Sequence, residues 1–179
     1  MPETSSDASD FDDLGPSKII FGSRPALPNA PTAQITSALV SEIERGARFC
    51  AQLPRVEYSL DCLSDRMAFT ARLVPRIKGY RALKSALNDA ARETRALARQ
   101  NRSANLPTGS AKLASGRTRP LVPFDAAKRD FIEIRVDDII SAARSRMWQV
   151  AANVRETRDH YEAFAGAMSA YSILAPRQS

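Results

Sequence analysis

The sequence predicts an all-α protein: an elongated antiparallel three- to four-helix bundle or coiled coil, with a long C-terminal helix and a disordered acidic N-terminal tail. Three observations carry that expectation. From Phe124 to Ala165 the chain contains neither glycine nor proline. Across the same run the apolar residues recur at helical spacing. The 179 residues include only seven glycines and are rich in Ala, Leu and Arg, which favour helix. The hydrophobic share of 44% is enough for a core, and no stretch approaches the roughly 18 consecutive apolar residues of a membrane-spanning helix.

Residues 1–31 read as the tail. They hold Pro2, Pro16, Pro25, Pro28 and Pro31 together with the acids Glu3, Asp7, Asp10, Asp12 and Asp13, so charge and missing backbone donors oppose collapse. Ile19, Ile20 and Phe21 interrupt it as an apolar island, suited either to docking back on the bundle or to serving as a partner motif. Residues 32–179 read as one helical bundle domain with a flexible basic loop at 103–123.

The first helix is expected from Pro31 or Thr32 to about Leu53. Thr32 caps it, and Ile35, Leu39, Ile43 and Ala47 form its stripe. Pro54 ends it. The second begins near Ser59, with Leu60, Leu63, Met67, Ala71 and Val74 at three-and-four spacing. Pro75 and Gly79 then break or kink the chain. The third spans Arg76 to about Asn101, where Tyr80, Leu83, Leu87, Ala90, Thr94 and Leu97 keep a heptad rhythm. Residues 103–123 hold Pro107, Gly109, Gly116, Pro120 and Pro123 and read as loop. The last helix is expected as one rod from Phe124 to Leu174, about 75 Å long from the helical rise. Its stripes are Ile132, Val136, Ile139 and Ala143, then Met147, Val150, Val154, Thr157, Tyr161, Phe164, Met168 and Tyr171. Paired with the second and third segments, such a rod leaves a thin two-helix arm beyond the reach of the first helix.

The formal net charge of +6 is uneven. Arginine outnumbers lysine 21 to 5, which suits phosphate recognition, but the excess runs along the whole chain and so favours a GC-rich coding sequence as its cause. Arg92, Arg95, Arg99 and Arg102 fall on one helical face, and Arg117 and Arg119 follow in the loop. This set is the candidate anion or nucleic-acid contact, although it contains no aromatic residue to stack on bases. Cations at a helix C-terminus also simply complement the helix dipole.

The two cysteines, Cys50 and Cys62, flank the first turn. They either form a disulfide across a helical hairpin or sit as small buried hydrophobes in a reducing compartment. The one histidine, His160, reads as a solvated surface residue between Asp159 and Tyr161. Asp137 and Asp138 point about 100° apart on a helix, and Glu133 and Asp137 lack the Glu-x-x-His companions of a di-iron site. Trp148 reads as a widening of the core stripe, the alternative being an exposed anchor.

No catalytic, cofactor-binding or metal-binding residues are assigned, and no cofactor is expected. The expected function is a non-enzymatic helical interaction or scaffold protein acting through apolar helix faces, its partner a second copy or another protein. The alternative is an accessory protein binding nucleic acid or anionic surfaces through residues 92–119. Without a signal peptide the chain reads as cytoplasmic; a Cys50–Cys62 disulfide would instead indicate the cell envelope or secretion.

Overall fold

Thr32 opens helix α1 (Ala33–Ala51), its hydroxyl accepting the Ile35 N–H at 3.2 Å. That bond satisfies one of the donors a helix start leaves open. The computed structural model describes residues 29–112 and 116–172. Most of the expected tail, including Ile19, Ile20 and Phe21, lies outside them. Among the described residues the chain forms five α-helices and one two-stranded hairpin.

Leu39, Ile43, Ala47 and Cys50 bury the inner face of α1 against α2 (Ser59–Leu73). The two helices run antiparallel, since Cys50 is bonded to Cys62 and Gly46 lies against Arg66. A Cβ on Gly46 would stand 3.1 Å from that of Arg66, so a small residue there lets the helices approach. Every residue from Ser59 to Met67 is buried. α2 is therefore the innermost helix, and its polar residues need partners.

The expected break falls where Pro75 and Gly79 place it. Val74 is extended, and the chain turns before α3 (Arg81–Gln100). Gly79 has no room for a side chain, because a Cβ would overlap the Pro31 ring. The stripe of α3 is buried as its spacing predicts, from Tyr80 through Leu83, Leu87, Ala90 and Thr94 to Leu97.

Two expectations need correction. Residues 103–123 are not all loop: β1 (Gly109–Lys112) pairs antiparallel with β2 (Thr118–Leu121), in register from Gly109 opposite Leu121 to Lys112 opposite Thr118. Gly116, at φ 80°, supplies the left-handed turn residue. The hairpin lies on the bundle through Tyr58, whose hydroxyl donates to the Pro107 carbonyl at 2.8 Å, and through Arg119.

The second correction concerns the C-terminal rod. It is two helices, α4 (Arg129–Asn153) and α5 (Arg158–Met168), parted at Val154, whose backbone is extended at φ −126° and ψ 96°. The Asn153 side chain donates to the Gln149 carbonyl at 2.7 Å and helps close α4. α5 folds back antiparallel on α4. Arg158 donates to the Ala151 carbonyl at 3.2 Å and Arg144 to the Ala165 carbonyl at 3.0 Å. The reversal costs a few helical hydrogen bonds. In return it buries Tyr161, Phe164, Met168 and Tyr171, each no more than 1% exposed, which contributes about 1.5–3 kcal/mol per large apolar side chain. The thin two-helix arm is therefore absent.

Each helix packs on its successor, and α5 packs on α1. The result is a closed ring of five helices rather than the expected three or four. With an odd number of alternating helices, α1 and α5 must run the same way. Tyr80, Tyr161 and Phe164 fill one end of the core with edge-to-face contacts, ring centroids 5.8–5.9 Å apart.

Candidate functional site

The structure scatters part of the expected arginine set. Arg92 pairs with Asp89 at 2.7 Å. Arg95 donates to the Ser64 hydroxyl at 3.3 Å. Burial lowers its pKa first, and the neighbouring charge of Arg119 lowers it further. Arg119 reaches across from β2 to Asp65 at 2.8 Å and Asp61 at 3.1 Å. Both of those carboxylates are buried, and Asp61 also accepts the Val122 N–H at 3.0 Å. Arg102 lies apart, with Thr108 at 3.4 Å, and Arg117 is exposed.

Arg92, Arg95 and Arg99 do share an open groove of about 490 Å³ floored by Ala68, Ala91 and Ala96. Asp89 pairs with both Arg92 and Arg146, and Asp61 and Asp65 pair with Arg119 beside Arg95, so part of the local positive charge is offset. Sequence reasoning missed this because Asp61 and Asp65 belong to another helix, 58 and 54 residues from Arg119.

The cysteines are brought together as a disulfide, with Cα atoms 5.7 Å apart. It ties the end of α1 to the start of α2. Beside it Arg66 stacks on Phe49, its guanidinium 4.0 Å from the ring centroid.

His160 is half-buried and engaged rather than freely solvated. Its Nδ1 is hydrogen-bonded to the Thr36 hydroxyl at 2.8 Å, and Thr36 to the Tyr80 hydroxyl at 2.9 Å. Tyr80 in turn donates to the Thr32 carbonyl at 3.1 Å. This chain joins α5, α1 and the start of α3, and acts as a polar clasp at the end of the ring.

The outer face of α4 is the least expected feature. Phe131, Ile134 and Trp148 are 52%, 63% and 46% exposed. The expectation that Trp148 belongs to the core is overturned. The opposite face of α4 buries Ile132, Val136, Ile139, Ile140, Ala143, Met147 and Ala151. Apolar residues thus occupy both sides of this helix, whereas α3 is apolar on one side only. The signal was present in the sequence. Phe131, Ile134, Ser141, Ser145, Trp148 and Ala152 fall on a second three-and-four series beside the buried one, and the buried stripe masked it.

No family model, no curated protein and no solved structure matches the chain. Among the described helices none is long and apolar enough to cross a membrane.

Proposed function

We propose that the protein is a non-enzymatic interaction module whose docking surface is the outer face of α4. One observation carries the reading: large apolar side chains, Phe131, Ile134 and Trp148, stand in solvent along a single helix that also supplies a full core face. A soluble helix with one buried stripe normally presents charge on the other side, whereas here Phe131 and Ile134 stand exposed near one end of the face and Trp148 near the other, and exposed apolar patches mark interaction surfaces. The groove at Arg92, Arg95 and Arg99 supports anion binding less well, because Arg92 is paired with Asp89 and Arg95 is half-buried against the Ser64 hydroxyl.

Replacing Phe131, Ile134 and Trp148 together by serine tests the reading. The wild-type protein is expected to associate, with itself or with a partner recovered from native cells. The triple variant, with unchanged circular dichroism, is expected to lose that association. Identical recovered sets and strictly monomeric behaviour for both proteins contradict it.

The Cys50–Cys62 disulfide favours an oxidising compartment, the cell envelope or beyond, over the cytoplasm. Two free thiols in protein taken from its native compartment, read by nonreducing mass analysis, contradict that location.

A further inference from the structure

We propose that the occupant of the α4 face is the α4 face of a second copy, paired antiparallel about a two-fold axis. The inference rests on the reading above and names its partner.

The exposed residues of α4 form a heptad seam of their own. Phe131, Asp138, Ser145 and Ala152 take one seam position, and Ile134, Ser141 and Trp148 the other, with steps of three and four throughout. All seven are exposed. The seam is large at its two ends and small in the middle, where Ser141 and Ser145 let two backbones approach.

An antiparallel pairing fits this profile. It sets Phe131 of one copy against Trp148 of the other, and Ile134 against Ser145. Asp138 then lies opposite Ser141, whose hydroxyl donates to the carboxylate. A parallel pairing sets Asp138 against Asp138, a like-charge contact inside the seam, and stacks Trp148 on Trp148 while Ser141 faces Ser141.

Charge favours the same arrangement. One flank of the seam carries Asp130, Asp137 and Arg144 at seven-residue spacing. Within the chain, none of the three makes an ion pair with another described residue. In an antiparallel two-fold pair, each flank meets its own equivalent running the other way. Asp137 of one copy then faces Arg144 of the other, and the axis makes this contact twice. A parallel pair would set Asp137 against Ala142 and Arg144 against Gln149, and its one opposite-charge contact, Asp130 against Arg135, would draw Arg135 from the Asp138 it already holds at 3.2 Å. α4 as a whole is built this way. Arg129, Asp130, Glu133, Arg135, Asp137 and Asp138 leave its first half acidic, and Arg144 and Arg146 make its second half basic. Acidic half therefore meets basic half.

The contact strip from Phe131 to Ala152 is roughly 32 Å long and about 10 Å wide. That is below the area of a standard interface, so the dimer is weak and concentration-dependent.

The test is sedimentation equilibrium of the full chain over a wide concentration range, with two charge reversals. Asp137→Arg places arginine against Arg144, and Arg144→Asp places aspartate against Asp137. Each variant alone is expected to dimerise about tenfold more weakly than wild type or worse. Mixed in equal amounts they restore both ion pairs, and a heterodimer of near wild-type strength is expected. Because Arg144 also donates to the Ala165 carbonyl, the thermal melt of each variant is recorded beside its mass. Rescue on mixing cannot come from a folding defect. A wild-type monomer at every concentration overturns the proposal, as does a dimer indifferent to both reversals or variants that stay monomeric when mixed. If the wild type is monomeric while the serine variant still loses a different protein partner, the interaction reading survives and this inference falls. A monomer that dimerises only after removal of residues 1–28 would assign the face to that segment instead, and also overturns it.

Discussion

Two buried tyrosines show how the same side chain does different work at two points of the core. Tyr161 donates to the Gly79 carbonyl at 2.8 Å and accepts the Leu83 N–H at 3.2 Å, binding α5 to the turn before α3. Tyr171 is fully buried beside Thr70, whose own hydroxyl donates to the Arg66 carbonyl. The Tyr171 hydroxyl finds no partner of good geometry among the described residues. Tyr161→Phe is expected to cost about 1–2 kcal/mol, since it strands a part-buried carbonyl and a buried N–H. Tyr171→Phe is expected to be neutral or stabilising, since it removes an unpaired hydroxyl. Urea titration of the two variants checks both. Burial raises the pKa of both phenols above the ordinary value of 10.0. The unfolded chain therefore ionises first. The stability these groups contribute is full below pH 10 and is lost as pH rises beyond it. Tyr171→Phe is expected to move alkaline unfolding to higher pH.

At the scale of elements, the disulfide and the broken helix matter most. The bridge closes a loop with a sequence separation of 12 between Cys50 and Cys62, and in the chain-entropy account it stabilises the fold by about 2–3 kcal/mol. Reduction, or paired replacement by alanine, is expected to lower the unfolding free energy by that amount, read as a lower urea midpoint, while leaving the helical circular dichroism intact. An unchanged midpoint contradicts a native bridge. The first three helices were legible because their ends carry local chemistry: Thr32 as cap, Pro54 as stop, Pro75 and Gly79 as break. The division between α4 and α5 was not legible, because no residue there forbids helix. Val154 is merely β-branched, and the turn is made by what it buries downstream, Tyr161 and Phe164 against Tyr80. The hairpin was hidden for a related reason. Its strands are four residues each, one contains Pro120, and they are held to the bundle by Arg119 reaching Asp61 and Asp65 from a distant part of the chain. Of the candidate site, placement beside a turn allowed the cysteine pairing as one of two readings, whereas the exposed seam of α4 was concealed by the core stripe on its other side.

For the whole molecule, closing the ring decides which surfaces remain. α5 folding back covers α1 and the inner side of α4, and leaves the seam from Phe131 to Trp148 on the outside. A continuous rod would have spread the same residues along an arm and removed this geometry. The association proposed above therefore stands on the reversal at Val154. The most direct measurement is a nuclear Overhauser spectrum of the labelled protein, read for contacts between the Arg144 side chain and the Ala165 residue. The fold-back predicts cross-peaks, because the Arg144 guanidinium donates to the Ala165 carbonyl at 3.0 Å. Helical shifts running unbroken through Val154, with no such cross-peaks and the two residues about 32 Å apart by the helical rise, would contradict it.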